Sequence, residues 1–156
     1  MSKFARLGVA LLACFGAGFL GSSFISTGPG TWLDTLHTPF FYPPAWVFPI
    51  VWFILYGCMA FALWLVWEKD DMATEVRGWV PLFFSHLIVN ASWTILFFGF
   101  HAVFIALIDI LLLTFCVLLL FCGALEIDKR ASYLLAPYLA WVCFAALLNG
   151  WIWWIN

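Results

Sequence analysis

Residues 31–56 read TWLDTLHTPFFYPPAWVFPIVWFILY and lead from a ring-rich loop into a hydrophobic span. Pro39, Pro43 and Pro44 rule out a regular helix before Ala45, because proline lacks an amide proton and restricts the residue before it. Connections between adjacent helices are usually short. This one is long, stiff and aromatic, so we interpret residues 26–44 as a lid over a flat, apolar binding site.

The composition is that of a membrane protein. Hydrophobic residues make up 67% of the 156 residues and charged residues only 9%, whereas soluble domains carry about a quarter charged residues. The mean hydropathy is +1.10. We therefore predict an all-α membrane protein with one transmembrane domain, residues 1–156. The net charge of −2 excludes a nucleic-acid-binding surface.

Five windows are long and apolar enough to cross a bilayer, which takes about 20 residues. They predict a bundle of five transmembrane helices at about 4–25, 45–67, 79–98, 102–125 and 133–155. The third and fourth spans are separated only by a tight reversal at Gly99-Phe100-His101. Pro49, Pro81 and Pro137 lie inside predicted spans, where a missing hydrogen bond predicts a kink or an offset.

The basic residues predict the orientation of the chain. All six lie in the N-terminal segment, the second loop or the fourth loop: Lys3, Arg6, Lys69, Arg77, Lys129 and Arg130. The positive-inside rule then places the N-terminus on the cytoplasmic side, with the lid and the C-terminus opposite. The sequence does not say which membrane holds the protein.

Small residues recur every four positions in the first span, at Ala10, Cys14, Gly18 and Ser22. Such a ladder lets another backbone approach closely, either within the bundle or across a dimer, and we favour packing within the bundle. The fourth span is apolar on all sides, as expected of a helix that faces lipid or a second subunit. Its one exception is Asp109, either a proton relay or, as we favour, a protonated acid bonded to Asn, Ser or a backbone carbonyl.

Polar and aromatic residues form stripes at helical spacing on three spans. The stripes comprise Pro49, Trp52, Tyr56 and Ala60; His86, Asn90, Trp93 and Phe97; and Pro137, Trp141, Ala145 and Asn149. Buried amides and imidazoles need partners, so these faces should point into the bundle. All three stripes reach the outer half of the bundle, which predicts a ring-lined cavity beneath the lid. The alternative is a packed core in which the rings only fill space.

The sequence shows no arrangement typical of metal binding or of hydrolytic catalysis. The five cysteines lie in apolar stretches without metal-ligand or redox-dithiol spacing. His37 and His101 fall in outer loops, where we expect them to face solvent. We therefore predict no metal site and no required cofactor.

Three blocks of residues resemble the tryptophan-rich sensory protein/translocator protein family, also known through the peripheral benzodiazepine receptor. The likeness covers nearly the whole chain. The first block comprises Trp32, Leu36, Pro39, Pro43, Pro44, Trp52 and Tyr56. The second comprises Asn90, Trp93, Phe97, Phe98 and Gly99. The third comprises Pro137, Tyr138, Leu139, Trp141, Phe144, Ala145, Leu148 and Asn149.

The resemblance implies a five-helix bundle, a homodimer, and a pocket under the first loop that binds porphyrins such as protoporphyrin IX and haem. By motif position, the resemblance places Trp52, Tyr56, Asn90, Trp93, Trp141 and Ala145 in the pocket. Together with the stripes and the lid, the predicted ligand-binding residues are Trp32, Phe41, Trp52, Tyr56, His86, Asn90, Trp93, Phe97, Trp141, Ala145 and Asn149.

We expect a membrane receptor or carrier for porphyrins or similar flat amphiphiles, with a role in tetrapyrrole regulation, transport or stress sensing. One alternative is an enzyme that degrades porphyrin in light, with Trp93 and Trp141 as its redox-active rings. A second is a lipid, sterol or proton-coupled transporter. Many family members have a tryptophan in the lid where this chain has Phe41, a departure that argues against tryptophan-mediated porphyrin chemistry but not against ligand binding. The sterol motif of animal members is replaced here by Gly150 and Trp154.

Overall fold

A computed structural model describes residues 2–69 and 73–156 of the chain. It contains five helices that are long and apolar enough to cross a membrane, which confirms the predicted fold class. They are α1 (Lys3–Ser22), α2 (Val47–Trp67), α3 (Thr74–Thr94, continued by a π-helical turn, Ile95–Gly99), α4 (Val103–Ile127) and α5 (Lys129–Ile155). A short 3-10 turn, Trp32–Thr35, lies in the lid.

The helices are arranged in a ring, because the main contacts join α1 to α2, α2 to α5, α5 to α4, α4 to α3 and α3 back to α1. The small-residue ladder of α1 faces this ring: Ala10 and Cys14 are fully buried, and the Tyr56 ring lies against Gly18. Packing within the bundle is therefore confirmed for these residues. Ser22, at the end of the ladder, is exposed.

Local signals set the helix ends. Ser2 accepts a hydrogen bond from the amide of Ala5 at the start of α1. Asp128 does the same for Arg130 at the start of α5, so α5 begins four residues before the predicted position. In the same way α3 begins at Thr74, because the polar first turn of a helix lies outside an apolar window.

The three prolines differ in their effect on the helices. Pro49 lies in the first turn of α2, where an amide has no intrahelical partner to lose. Our expectation of a disrupted hydrogen bond there was wrong. Pro81 and Pro137 lie inside α3 and α5, and each helix continues through its proline.

The predicted reversal between the third and fourth spans is present. The π turn closes with a hydrogen bond from the amide of Phe100 to the carbonyl of Ile95, at 2.9 Å. His101 follows in a left-handed conformation, with φ of 55°, which is uncommon for a residue other than glycine. This turn brings the His101 ring up against the lid.

Ion pairs join the helix ends opposite the lid. Glu68 lies 3.8 Å from Lys3 of α1, and Arg6 also reaches the C-terminal end of α2 by donating to the carbonyl of Trp67. Lys69 lies 3.0 Å from Asp128 in the α4–α5 turn. Basic residues from three separate segments therefore gather at one end of the bundle.

Candidate functional site

A polar core at the centre of the ring joins three helices. Tyr56 of α2 donates to Oδ1 of Asn90 in α3, at 2.7 Å. Nδ2 of Asn90 donates to the hydroxyl of Tyr138 in α5, at 3.1 Å. The Trp52 ring stacks on Tyr56 at a centroid distance of 5.5 Å and contacts Tyr138 edge-on at 6.3 Å. Sequence reasoning thus placed Trp52, Tyr56 and Asn90 at a common level, and the structure brings them together.

His86 lies one helical turn below Asn90 and has no exposed surface. Its Nδ1 donates to the carbonyl of Phe83, because a carbonyl only accepts. Its Nε2 is buried and has no hydrogen-bond partner among the described residues. The ring contacts Phe83 and Tyr138 at centroid distances of 4.6 and 5.9 Å. His86 therefore belongs to the floor of the polar core.

A second cluster lies above this core, between α3, α4 and α5. The indole nitrogen of Trp93 donates to Oδ1 of Asn149, at 3.0 Å. Nδ2 of Asn149 donates to the carbonyl of Val103, at 3.0 Å. The Trp93 ring also stacks on Phe97, with centroids 5.6 Å apart. Asn149 therefore fixes the orientation of Trp93 relative to two helices.

The lid rests on this second cluster at its N-terminal end. The Trp32 ring stacks on His101, with centroids 4.2 Å apart and planes within 11°. Trp32 also meets Phe97 edge-on at 5.5 Å. Farther along, Tyr42 packs against Phe48 at 5.6 Å, and burial raises the pKa of its phenol. His101 is exposed, as expected, but it also supports the lid.

Side-chain atoms of Asn156 hold the middle of the lid. Its Oδ1 accepts from the backbone amide of His37, at 2.9 Å, and its Nδ2 donates to the carbonyl of the same residue, at 3.0 Å. This paired bond resembles one rung of a β-ladder made by a side chain. It ties residues 31–44 to the end of α5.

Two predicted site residues lie apart from these clusters. Trp141 packs with Phe48 and Phe144 at 5.9 and 5.5 Å, on the side where α2 meets α5. Phe41 covers the same side from the lid, at 5.7 Å from Trp151. Within residues 2–69 and 73–156, no ring contact joins Trp141 to Trp93. The two tryptophans that we singled out for photochemistry therefore occupy different regions.

The stripe predicted on α5 was wrong at its inner end. Its buried face includes Tyr138, Val142, Ala145 and Asn149, whereas Pro137 is exposed and Trp141 only half-buried. Tyr138 precedes Ala145 by seven residues, which is two helical turns. That spacing could have identified Tyr138, which sequence reasoning missed as a site residue. Ala145 lies where we expected it, 7% exposed.

Two apolar grooves lie on the outward side of α2. One has a volume of about 420 Å³ and is lined by Val51, Ile54, Leu55, Pro137, Ala140, Trp141 and Phe144. The other, of about 400 Å³, is lined by Leu11, Phe15, Phe53, Ile54, Gly57, Cys58, Phe61 and Leu134. These grooves are flanked by exposed residues such as Phe53 and Ile54. They lie beside the ring clusters beneath the lid, not within them.

The two amides do not use all of their hydrogen-bonding groups on protein partners, and both are buried: Asn90 is 2% exposed and Asn149 1%. A primary amide has two N–H donors and two acceptor lone pairs. Asn90 uses one donor and one acceptor on Tyr138 and Tyr56, and Asn149 uses one of each on Val103 and Trp93. The region beneath the lid therefore combines stacked aromatic rings with amide groups at two levels.

Comparison with known proteins agrees with the resemblance. The model of the TspO/MBR family matches residues 10–155. The tryptophan-rich protein TspO of Chlorobaculum tepidum is 38% identical over 143 residues, which cover 92% of this chain and 90% of that protein. The translocator protein of Homo sapiens is 34% identical over 137 residues, with coverages of 86% and 80%. The tryptophan-rich sensory protein of Cereibacter sphaeroides is 31% identical over 121 residues, with coverages of 78% and 74%. The chain is therefore a multi-pass integral membrane protein that belongs to the TspO/MBR family.

Proposed function

We propose that this protein is a membrane receptor or carrier that binds protoporphyrin IX, haem or a similar flat amphiphile beneath the lid. Its role would lie in tetrapyrrole regulation, transport or stress sensing. One observation carries the proposal: Trp52 stacks on the tyrosine that bonds Asn90, and Trp93 bonds Asn149, so aromatic rings adjoin both amides. Trp32 of the lid meets the second of these clusters at Phe97. Aromatic walls with a few polar groups are typical of small-molecule sites.

A tetrapyrrole suits this arrangement for physical reasons. Its flat face gains from offset stacking on indole and phenol rings, as aromatic pairs do in proteins. Its carboxylates are acceptors, and the remaining N–H groups of Asn90 and Asn149 are donors. The names of the relatives, a translocator protein and a tryptophan-rich sensory protein, fit a carrier or receptor role.

We also propose the orientation and the assembly of the protein. Because the basic residues gather at the end opposite the lid, the positive-inside rule places that end on the cytoplasmic side. The lid then faces the opposite compartment. The family resemblance favours a homodimer, and the exposed apolar face of α4 offers lipid or a second subunit a continuous surface.

Titration of the purified protein with protoporphyrin IX, followed by quenching of tryptophan fluorescence, tests the binding proposal. Trp52→Ala should weaken binding by about fivefold to thirtyfold, because loss of one stacked ring costs about 1–2 kcal/mol. Trp154→Ala is the matched control, since it removes one indole that is 80% exposed at the end of α5. Equal affinities of wild type and Trp52→Ala would refute the site.

Light-dependent porphyrin degradation is a second candidate for the same site. The observation in its favour is the fixed orientation of Trp93, whose indole is bonded to Asn149 and stacked on Phe97. Loss of the porphyrin absorption band should then be faster with protein than with free porphyrin under equal illumination, and Trp93→Phe should slow it. Equal rates with and without protein would reject the enzyme and leave the receptor in place.

A further inference from the structure

A carboxyl group of α4 lies in contact with α3 inside the membrane-spanning part of the bundle. Oδ1 of Asp109 is 2.8 Å from the hydroxyl oxygen of Ser92. The same hydroxyl oxygen is 2.9 Å from the backbone carbonyl of Val89. Ser92 thus has two short polar contacts to oxygen atoms.

The number of protons available to Ser92 and Asp109 indicates which group donates to the other. A serine hydroxyl has one proton, and a backbone carbonyl and an ionised carboxylate can only accept. If Asp109 were ionised, Ser92 would have to share its single proton between two acceptors, which would make each contact a weaker, three-centre bond. If Asp109 is protonated, it donates to Ser92, and Ser92 donates to Val89. Both distances are then ordinary hydrogen bonds.

The surroundings of the carboxyl group agree with the neutral form. Oδ2 of Asp109 is buried and has no hydrogen-bond partner. Among the residues that the structure describes, the ion pairs of Glu68 and Asp128 lie at the basic end, remote from Asp109 along the helices. An ionised carboxylate with an unpartnered oxygen in hydrocarbon is costly, whereas a neutral carbonyl oxygen loses much less.

Trp93 is the residue next to Ser92, and it is held to α4 by a separate route. Its indole donates to Asn149, which in turn donates to the carbonyl of Val103 in α4. Two consecutive residues of α3 are therefore tied to α4, directly or through one amide. The contacts of Ser92 and Trp93 with α4 both lie before the π turn at Ile95–Gly99, where the helical register changes.

We infer that Asp109 is a neutral acid that donates its proton to Ser92 and thereby positions Trp93 in the ring-lined site beneath the lid. It is a positioning residue, since it acts through Ser92 and the rotation of α3. The part of this inference that concerns ligand affinity rests on the proposed function. The protonation of Asp109 and the position of Trp93 do not depend on the proposed function.

Infrared spectroscopy at neutral pH tests the protonation directly. The wild-type spectrum should contain the C=O band of a carboxylic acid, absent from Asp109→Asn and shifted in Ser92→Ala, which removes the acceptor. Absence of that band from the wild type, or an unshifted band in Ser92→Ala, would overturn the inference.

Fluorine NMR of protein labelled with 5-fluorotryptophan tests the positioning role without porphyrin. Trp93→Phe assigns the Trp93 signal. Asp109→Leu, which has no donor, should move that signal, and Asp109→Asn, whose amide also donates, should restore it close to the wild-type position. An unmoved Trp93 signal in Asp109→Leu would refute the positioning role.

Titration with protoporphyrin IX tests whether Asp109 affects ligand affinity. Asp109→Leu should weaken binding by about fivefold, the value of one neutral hydrogen bond, and Asp109→Asn should bind within about twofold of wild type. Equal weakening in both would refute donation to Ser92 as the cause. If wild type binds no porphyrin, the proposed function fails, while the infrared and fluorine signals still decide the role of Asp109.

Discussion

The hydroxyl of Tyr56 lies 2.7 Å from Oδ1 of Asn90, and this bond joins α2 to α3 across the ring of helices. The same amide continues to Tyr138 on α5. Three helices therefore share one chain of hydrogen bonds directly below Trp52. The position of the stacking rings depends on this chain, because Trp52 packs on both tyrosines.

Tyr56→Phe should lower the free energy of unfolding by about 1–2 kcal/mol, because it leaves the buried Oδ1 of Asn90 without its donor. Thermal or denaturant unfolding in detergent measures the change. Tyr133→Phe is the control, since Tyr133 is 69% exposed on α5 and should change stability by less than about 0.5 kcal/mol. An equal, small effect of both variants would show that the bond contributes nothing.

Gly18→Ala should displace the Tyr56 ring, since a Cβ at Gly18 would overlap the ring atoms. The expected cost is about 1–3 kcal/mol, as for other overpacked sites, with weaker porphyrin binding. Gly8→Ala is the matched substitution on the same helix, because a Cβ there meets nothing within 4 Å. It should be neutral or slightly stabilising. If the two variants unfold at the same temperature, Gly18 is not needed for the ring.

Most of the fold could be predicted from the sequence. Long apolar windows decide the number of helices, and proline and glycine decide where they stop, as at Pro44 before α2 and Gly99 after α3. The ends at Thr74 and Lys129 could not be predicted from hydropathy, because the polar first turn of a helix lies outside an apolar window; at α5 the Asp128 cap supports that turn. The order of the helices around the ring depends on contacts between residues that are far apart in the sequence, and hydropathy does not encode those contacts.

The site could be predicted in part. Spacing brought Trp52, Tyr56, Asn90, Trp93 and Asn149 to the inside of the bundle, because polar groups on a membrane helix must find partners. Spacing did not reveal which partners they find. Tyr138 and Trp141 are three residues apart, so their side chains point in directions that differ by about 60° around α5. A stripe of four residues does not resolve a rotation of that size.

Asn156→Ala should loosen the lid. The amide of His37 loses its acceptor, so its hydrogen exchange should become faster, on the order of tenfold. Amides of α3 around Asn90 should exchange as in wild type. Trp154→Ala, two residues away on an exposed face, serves as the control. Unchanged exchange at His37 would mean that the lid is held by Trp32 and its other ring contacts.

Acid should weaken the basic end of the bundle through Asp128. The Arg130 guanidinium and the Lys69 ammonium hold the pKa of this carboxyl well below its usual value. A depressed pKa contributes stability that is fully present above the unfolded-state pKa of about 4 and is lost as pH falls below it. Asp128→Asn keeps an oxygen that caps α5 but has no charge, so its unfolding free energy should depend less on pH below 4. Parallel pH profiles for the variant and the wild type would contradict this assignment.

The central claim is that a flat tetrapyrrole lies against the rings beneath the lid. Fluorine NMR of the 5-fluorotryptophan-labelled protein during titration with protoporphyrin IX tests it most directly, because the ring current of the macrocycle shifts only nearby indoles. The signals of Trp32, Trp52 and Trp93 should shift in proportion to saturation, while those of Trp64, Trp79 and Trp154 stay in place. Shifts confined to Trp64, Trp79 or Trp154, with Trp52 and Trp93 unmoved, would contradict the account.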